Sequence, residues 1–150
     1  GEVSEGFSAY GIVNHRHSPE IQSQITHFGS SEYKVLFTPH LLPIKRGILS
    51  TIYFSIKDKL NLQNVIDCLR DKYSEEKFVD YSDTIPSTHD VRGTNFCKMQ
   101  AFFDENTNKV IIISVIDNLI KGASGQAIQN LNLMLGFDES DGLINFSMFP

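Results

Sequence analysis

The sequence has no long hydrophobic run: its apolar stretches, such as Val110 to Ile116, fall far short of the ~20 residues that a membrane-spanning helix needs. Gly1 to Gly11 also lacks the charged start and apolar stretch of a secretory leader. No membrane partner is expected, and a cytoplasmic location fits. Basic charge is scarce as well. Thirteen Lys and Arg are scattered along a chain of net charge -5 and pI near 5.4, so no stripe can neutralise a phosphate backbone. Nucleic acid is excluded as a partner. There are two cysteines, Cys68 and Cys97, without CxxC spacing or a Cys/His grouping, which suits reduced thiols and no metal centre. Internal repeats and the GxGxxG and GxxxxGK[ST] nucleotide loops are missing too.

The 150 residues, 41% apolar and 11% aromatic, are enough for one packed core, so residues 1–150 are expected to form one domain. The chain starts at Gly1 rather than Met, which reads as a piece of a longer product. Phe7 to Val13 has strand-like content. Ser18 as a cap, Pro19 in the first turn, an Ile21, Ile25 and Phe28 face and Gly29 as a stop predict a helix. Lys34 to Leu42 is extended, with Pro39 and Pro43 placing it at an edge.

From Ile48 a strand carries apolar groups on both faces, so both are expected to be partly covered. Asn61 caps a helix with the stripe Leu62, Val65, Ile66, Leu69 and Tyr73. Phe78 to Thr94 reads as an irregular loop near a site or interface. Asn95 to Phe103 and Lys109 to Ile116 form a hairpin, and a last helix ends at Gly136. The fold class is α+β, one largely antiparallel, mixed sheet with helices mainly on one face. The exposed part of such a sheet is a natural dimer surface.

Chemistry concentrates at His15, Arg16, His17, Ser18, Pro19 and Glu20, where a strand gives way to a helix. Glu20 is three residues past His17 and can fold back to it. A carboxylate on one ring nitrogen fixes the tautomer and leaves the other for acid or base work. A solvated loop, with Glu20 complementing the helix dipole, fits the same residues, and both readings stay open. A metal at His15 and His17 is disfavoured, since alternate extended residues diverge and no third ligand has suitable spacing. His27, His40 and His89 are isolated. Gly122, Ala123, Ser124, Gly125 and Gln126 open the last helix, where unbonded amides over small residues suit an anionic or amide-bearing ligand, though tight packing is the more usual reason for such glycines. Arg92 to Asn95 reads as a structural turn. Cys97 shares a strand face with Met99, Ala101 and Phe103, and Cys68 flanks the apolar stripe of its helix between Asp67 and Leu69 without a basic neighbour, so both read as structural.

Together these segments resemble one family from near Glu2 to Pro150. Ser8 to Ile21 is similar to the AYGxxxHRHxPEI segment of N-acetyl-γ-glutamyl-phosphate reductases, Phe37 to Leu49 resembles their FxPHLxPxxRGI strand, and Asp117 to Ala127 resembles their DNLxKGASGQA segment. The resemblance implies the C-terminal domain of an enzyme built like glyceraldehyde-phosphate and semialdehyde dehydrogenases. It implies NADPH-dependent reduction of N-acetyl-γ-glutamyl phosphate to N-acetylglutamate semialdehyde and phosphate, in arginine biosynthesis. In that chemistry a cysteine thiolate displaces phosphate, hydride reduces the thioester, and the thiohemiacetal collapses to the aldehyde.

By the same resemblance His17 handles protons, steadied by Glu20. Tyr10, His15 and Arg16 lie against substrate, and Gly122 to Gln126 face the nicotinamide. The family's GxGxxG loop and Gly-Cys-aromatic-Pro-Thr nucleophile segment are not in this sequence, so NADP is bound mainly elsewhere and the piece alone is expected to be inactive. A helix over 122–136 would then pack on the missing cofactor domain, leaving Ile128, Leu131 and Met134 exposed or repacked. A homo-oligomer, dimer or tetramer, is expected. The alternatives are a non-catalytic oligomerisation module and a related semialdehyde or glyceraldehyde-phosphate dehydrogenase.

Overall fold

A computed structural model describes residues 6–29, 33–57 and 59–147, which fall into two units, 1–45 and 46–150. In the first unit, β1 (Ser8–Ala9) pairs antiparallel with β2 (His40–Leu41), and the Tyr10 amide extends the ladder by donating to Pro39 O at 3.1 Å. The strand expected over Phe7 to Val13 is thus cut to two residues. Gly11 and Val13 take positive φ of 55° and 69°, which an extended strand cannot contain. Helix α1 (His17–Phe28) starts one residue before the expected Ser18 cap, with Arg16 in the capping position and no side-chain cap bond from it. Gly29 ends the helix as expected, its amide bonded to Ile25 O. No α1 residue is buried, and Phe28 is 83% exposed. Gln22 ties the helix to the next segment: its amide donates to Tyr33 O at 2.8 Å and accepts from Val35 N at 3.0 Å.

The second unit is built on a four-stranded sheet. It contains β3 (Ile48–Phe54), α2 (Leu62–Tyr73), β4 (Val79–Tyr81), β5 (Cys97–Asp104), β6 (Lys109–Ile116) and α3 (Gly125–Leu135), with strand order β3-β6-β5-β4. The hairpin appears as read: β5 and β6 pair antiparallel from Asp104 opposite Lys109 to Cys97 opposite Ile116, and Asn108 takes the positive φ that the turn needs. Strand β3 pairs antiparallel with β6, while β4 pairs parallel with β5, so the sheet is mixed. Asn61 caps α2 reciprocally with Asn64, and the predicted stripe from Leu62 to Tyr73 is the half-buried face of that helix.

Two expectations change. The segment 78–94 is not an irregular loop: it holds β4 and a 3-10 turn (Thr88–Val91) capped by Ser87 and Asp90, and it plants Phe78 and Val91 in the core. They are joined there by Ala101, Val110, Val115 and Leu143. Strand β3, whose faces were expected to be partly covered, is the sheet's edge and is exposed at all seven positions, with the apolar side chains from Ile48 to Phe54 36–66% exposed.

Candidate functional site

The polar cluster before α1 draws together around one ring, that of His15. Its Nδ1 accepts from the His17 amide at 3.1 Å, and its carbonyl accepts from Ser18 N at 2.9 Å. Tyr10, Phe37 and His17 approach the imidazole edge-on, with centroids at 5.2, 5.3 and 4.8 Å. Gly11 lies close beneath it: a Cβ there would come within 2.8 Å of His15 Cδ2. Tyr10, His15 and His17 therefore form one cluster at the strand-to-helix junction. Arg16 and Glu20 are exposed, and among the described residues neither forms a hydrogen bond or ion pair with either histidine. The tautomer-fixing bond sits on His15, not between His17 and Glu20.

Residues 122–126 lie in the second unit. The free helix-start amides expected there are not free, because the chain first makes a π turn (Ile120–Ser124) that runs into α3. Gly122 N donates to Asp117 O at 2.9 Å, Ser124 N to Leu119 O at 3.1 Å, and Gly125 N to Ile120 O. Gly122, Ala123 and Ser124 are exposed, Gln126 is half-buried, and Gly125 is buried against Asn95, whose Oδ1 would collide with a Cβ. The turn offers a smooth surface of small groups without spare donors from those three amides. An anion would gain no hydrogen bond from them.

Beneath the turn lies a polar centre that the sequence reading missed. Asp117 is fully buried and accepts from Arg46 at 2.6 Å, Gly93 N at 2.7 Å, Leu119 N at 2.8 Å and Ile120 N at 3.0 Å. Burial alone would push its carboxyl up, but these donors outweigh it and hold the group below the ordinary aspartate range. Gln129, also buried, accepts at Oε1 from Asn95 Nδ2 and Lys121 Nζ, both at 2.8 Å. Burial of Lys121, whose ammonium also lies over the Phe78 ring, lowers its pKa. The inner face of α3 is consequently polar, with Gln129 and Asn132 buried, while Ile128, Leu131 and Met134 are 42%, 51% and 82% exposed. Arg46 and Asp117 stand inside quoted motifs, yet 71 residues separate them, so no local signal joined them.

Cys97 lies within electrostatic reach of Lys121. Cys97 Sγ lies 3.4 Å from Ser114 Oγ within the sheet, and Cys68 is exposed on α2. No group of three or more metal-ligating side chains occurs among the described residues, and no described helix is long and apolar enough to cross a membrane.

Residues 1–118 match the semialdehyde dehydrogenase dimerisation-domain family. A probable chloroplastic N-acetyl-γ-glutamyl-phosphate reductase of Arabidopsis thaliana is 47% identical over 99% of this chain and 38% of its own length. The N-acetyl-γ-glutamyl-phosphate reductase of Methanococcus maripaludis C5 is 46% identical over 99% of the chain and 43% of its own length. The chain thus spans about two fifths of these relatives. Among solved structures, aspartate semialdehyde dehydrogenase II of Vibrio cholerae, in complex with ASA, has a TM-score of 0.63 at 16% identity, covering 81% of this chain and 37% of that one. At that identity the likeness is one of fold.

Proposed function

Because the chain belongs to the semialdehyde dehydrogenase dimerisation-domain family, we propose that it is the substrate-binding and dimer-forming part of an N-acetyl-γ-glutamyl-phosphate reductase, an NADPH-dependent enzyme of arginine biosynthesis. The observation that carries this reading is identity near one half, sustained across 99% of the chain, to reductases of that name from a plant and an archaeon. The fold likeness to an aspartate semialdehyde dehydrogenase supports the architecture alone.

In this reading the nucleophilic thiolate and the cofactor's phosphate-binding loop come from the remaining length of the parent polypeptide. Neither Cys68, exposed on α2, nor Cys97, beside Ser114 in the sheet, stands in the Gly-Cys-aromatic-Pro-Thr context of the family's nucleophile. When bound, NADPH supplies the hydride. Gly122, Ala123, Ser124, Gly125 and Gln126 take its nicotinamide by close contact over small groups, and the apolar outer face of α3 packs on the cofactor domain. His17, at the exposed start of α1, moves the proton, with Glu20 as its carboxylate neighbour. Arg16 places a cation where an acyl phosphate or carboxylate can be held. Copies associate through β3, whose Ile48, Leu49, Ile52 and Tyr53 are 44–66% exposed on an edge strand.

The test is His17→Gln in the parent enzyme. Turnover is expected to fall by about 10²–10⁴-fold, the usual share of a general acid or base, while affinity for NADPH stays the same. Unchanged turnover would remove His17 from the chemistry. An oligomer that binds neither substrate nor cofactor in the full-length parent would favour a purely structural module.

A further inference from the structure

The first amides of a helix have no partner inside it and are normally satisfied by a Ser, Thr, Asp or Asn side chain at the capping position. In α1 that position belongs to Arg16, which makes no such bond. The acceptor is instead the imidazole one residue earlier, His15 Nδ1, at 3.1 Å from the His17 amide. A ring nitrogen accepts only through a lone pair, so the proton of the neutral imidazole is on Nε2.

The ring is also wedged in place. Gly11, at φ 55°, leaves room for Cδ2 that any Cβ would fill, and the Tyr10 and Phe37 rings meet the imidazole edge-on at 5.2 and 5.3 Å. Turning His15 outward to reach a substrate would break the bond to the helix and leave those contacts. His17 has the opposite character: its backbone is held at the first helical position, while its own ring is exposed and, among the described residues, packs on no aromatic ring but that of His15.

We propose that His15 is a positioning residue, a ring cap that sets the start of α1 and so places His17, and that Tyr10 and Phe37 buttress it instead of contacting substrate. The proposal rests on His17 acting in the reductase reaction, but its structural half can be read without any activity. In the ¹⁵N-labelled chain, the His17 amide should exchange with solvent slowly for a first-turn position. His15→Ala should speed that exchange about fivefold, the worth of a typical helix cap. His15→Asn, whose amide oxygen can stand in for Nδ1, should restore the protection. Gly11→Ala, which crowds the ring while keeping it, should speed exchange as His15→Ala does.

In the parent enzyme, His15→Ala should lower kcat with little change in KM, and His15→Asn should recover most of the loss. Equal exchange rates in the unaltered chain and His15→Ala would overturn the cap. Protection restored by His15→Asn together with a raised KM and no recovery of kcat would make His15 a substrate contact and overturn the positioning role. A parent without reductase activity would sink the functional reading instead, while the exchange rates still decide the cap.

Discussion

Asp117 shows no surface to solvent, and its charge is tolerated because the Arg46 guanidinium and the amides of Gly93, Leu119 and Ile120 all point at it. Replacing it with Ala strands those donors and unpairs Arg46. The expected loss is about 3–5 kcal/mol of unfolding free energy, measurable by urea denaturation. Since the folded carboxyl titrates below its ordinary value, its stabilisation is complete above the unfolded pKa of about 3.9 and is lost as pH falls through the lower folded value. Denaturation midpoints taken downward from pH 5 should therefore fall more steeply for the native chain than for Asp117→Asn; parallel curves would deny Asp117 this role. Its Leu119 and Ile120 partners are local, but Arg46 and Gly93, which complete the buried centre, are 71 and 24 residues away and could not be joined to it from the sequence. The histidine cluster was legible as a cluster, since its members are adjacent in sequence. Which ring is held was not, as that depends on Gly11 and Phe37.

Helix α2 and the β5–β6 hairpin, both governed by local rules, were read correctly. The stripe and Asn61 cap of α2 follow from helical periodicity and from the need to satisfy first-turn amides, and Asn61→Ala should cost about 1 kcal/mol in thermal unfolding, whereas no loss would mean that the Asn61–Asn64 box contributes nothing. The β5–β6 hairpin followed from two apolar runs around a turn. Elements that depend on distant partners were misread. Strand β4 is three residues long and exists through parallel pairing with β5, and the π turn before α3 is held from below by Asp117. Gly125 belongs to the same account: a Cβ would strike Asn95 Oδ1 and come within 2.6 Å of Ile120 Cγ2. Gly125→Ala should thus destabilise by about 1–3 kcal/mol, the usual range for overpacking, and a neutral result would mean that the turn relaxes freely.

At the scale of the molecule, apolar surface on β3 and on the outer face of α3 stands exposed among the described residues. In the proposed reading a second copy takes the edge strand, and the cofactor domain of the parent takes α3. Ile52→Lys should weaken self-association in sedimentation equilibrium without altering unfolding of the monomer, and an unchanged oligomer would place the interface elsewhere. The likeness to a semialdehyde dehydrogenase fold does not separate the two substrate classes, but the near-half identity to N-acetyl-γ-glutamyl-phosphate reductases favours one. The most direct measurement is kcat/KM of the parent polypeptide with NADPH for N-acetyl-γ-glutamyl phosphate against β-aspartyl phosphate. A preference for the acetylated substrate on the order of 10²-fold or more is predicted; equal rates, or a preference for aspartyl phosphate, would contradict the assignment.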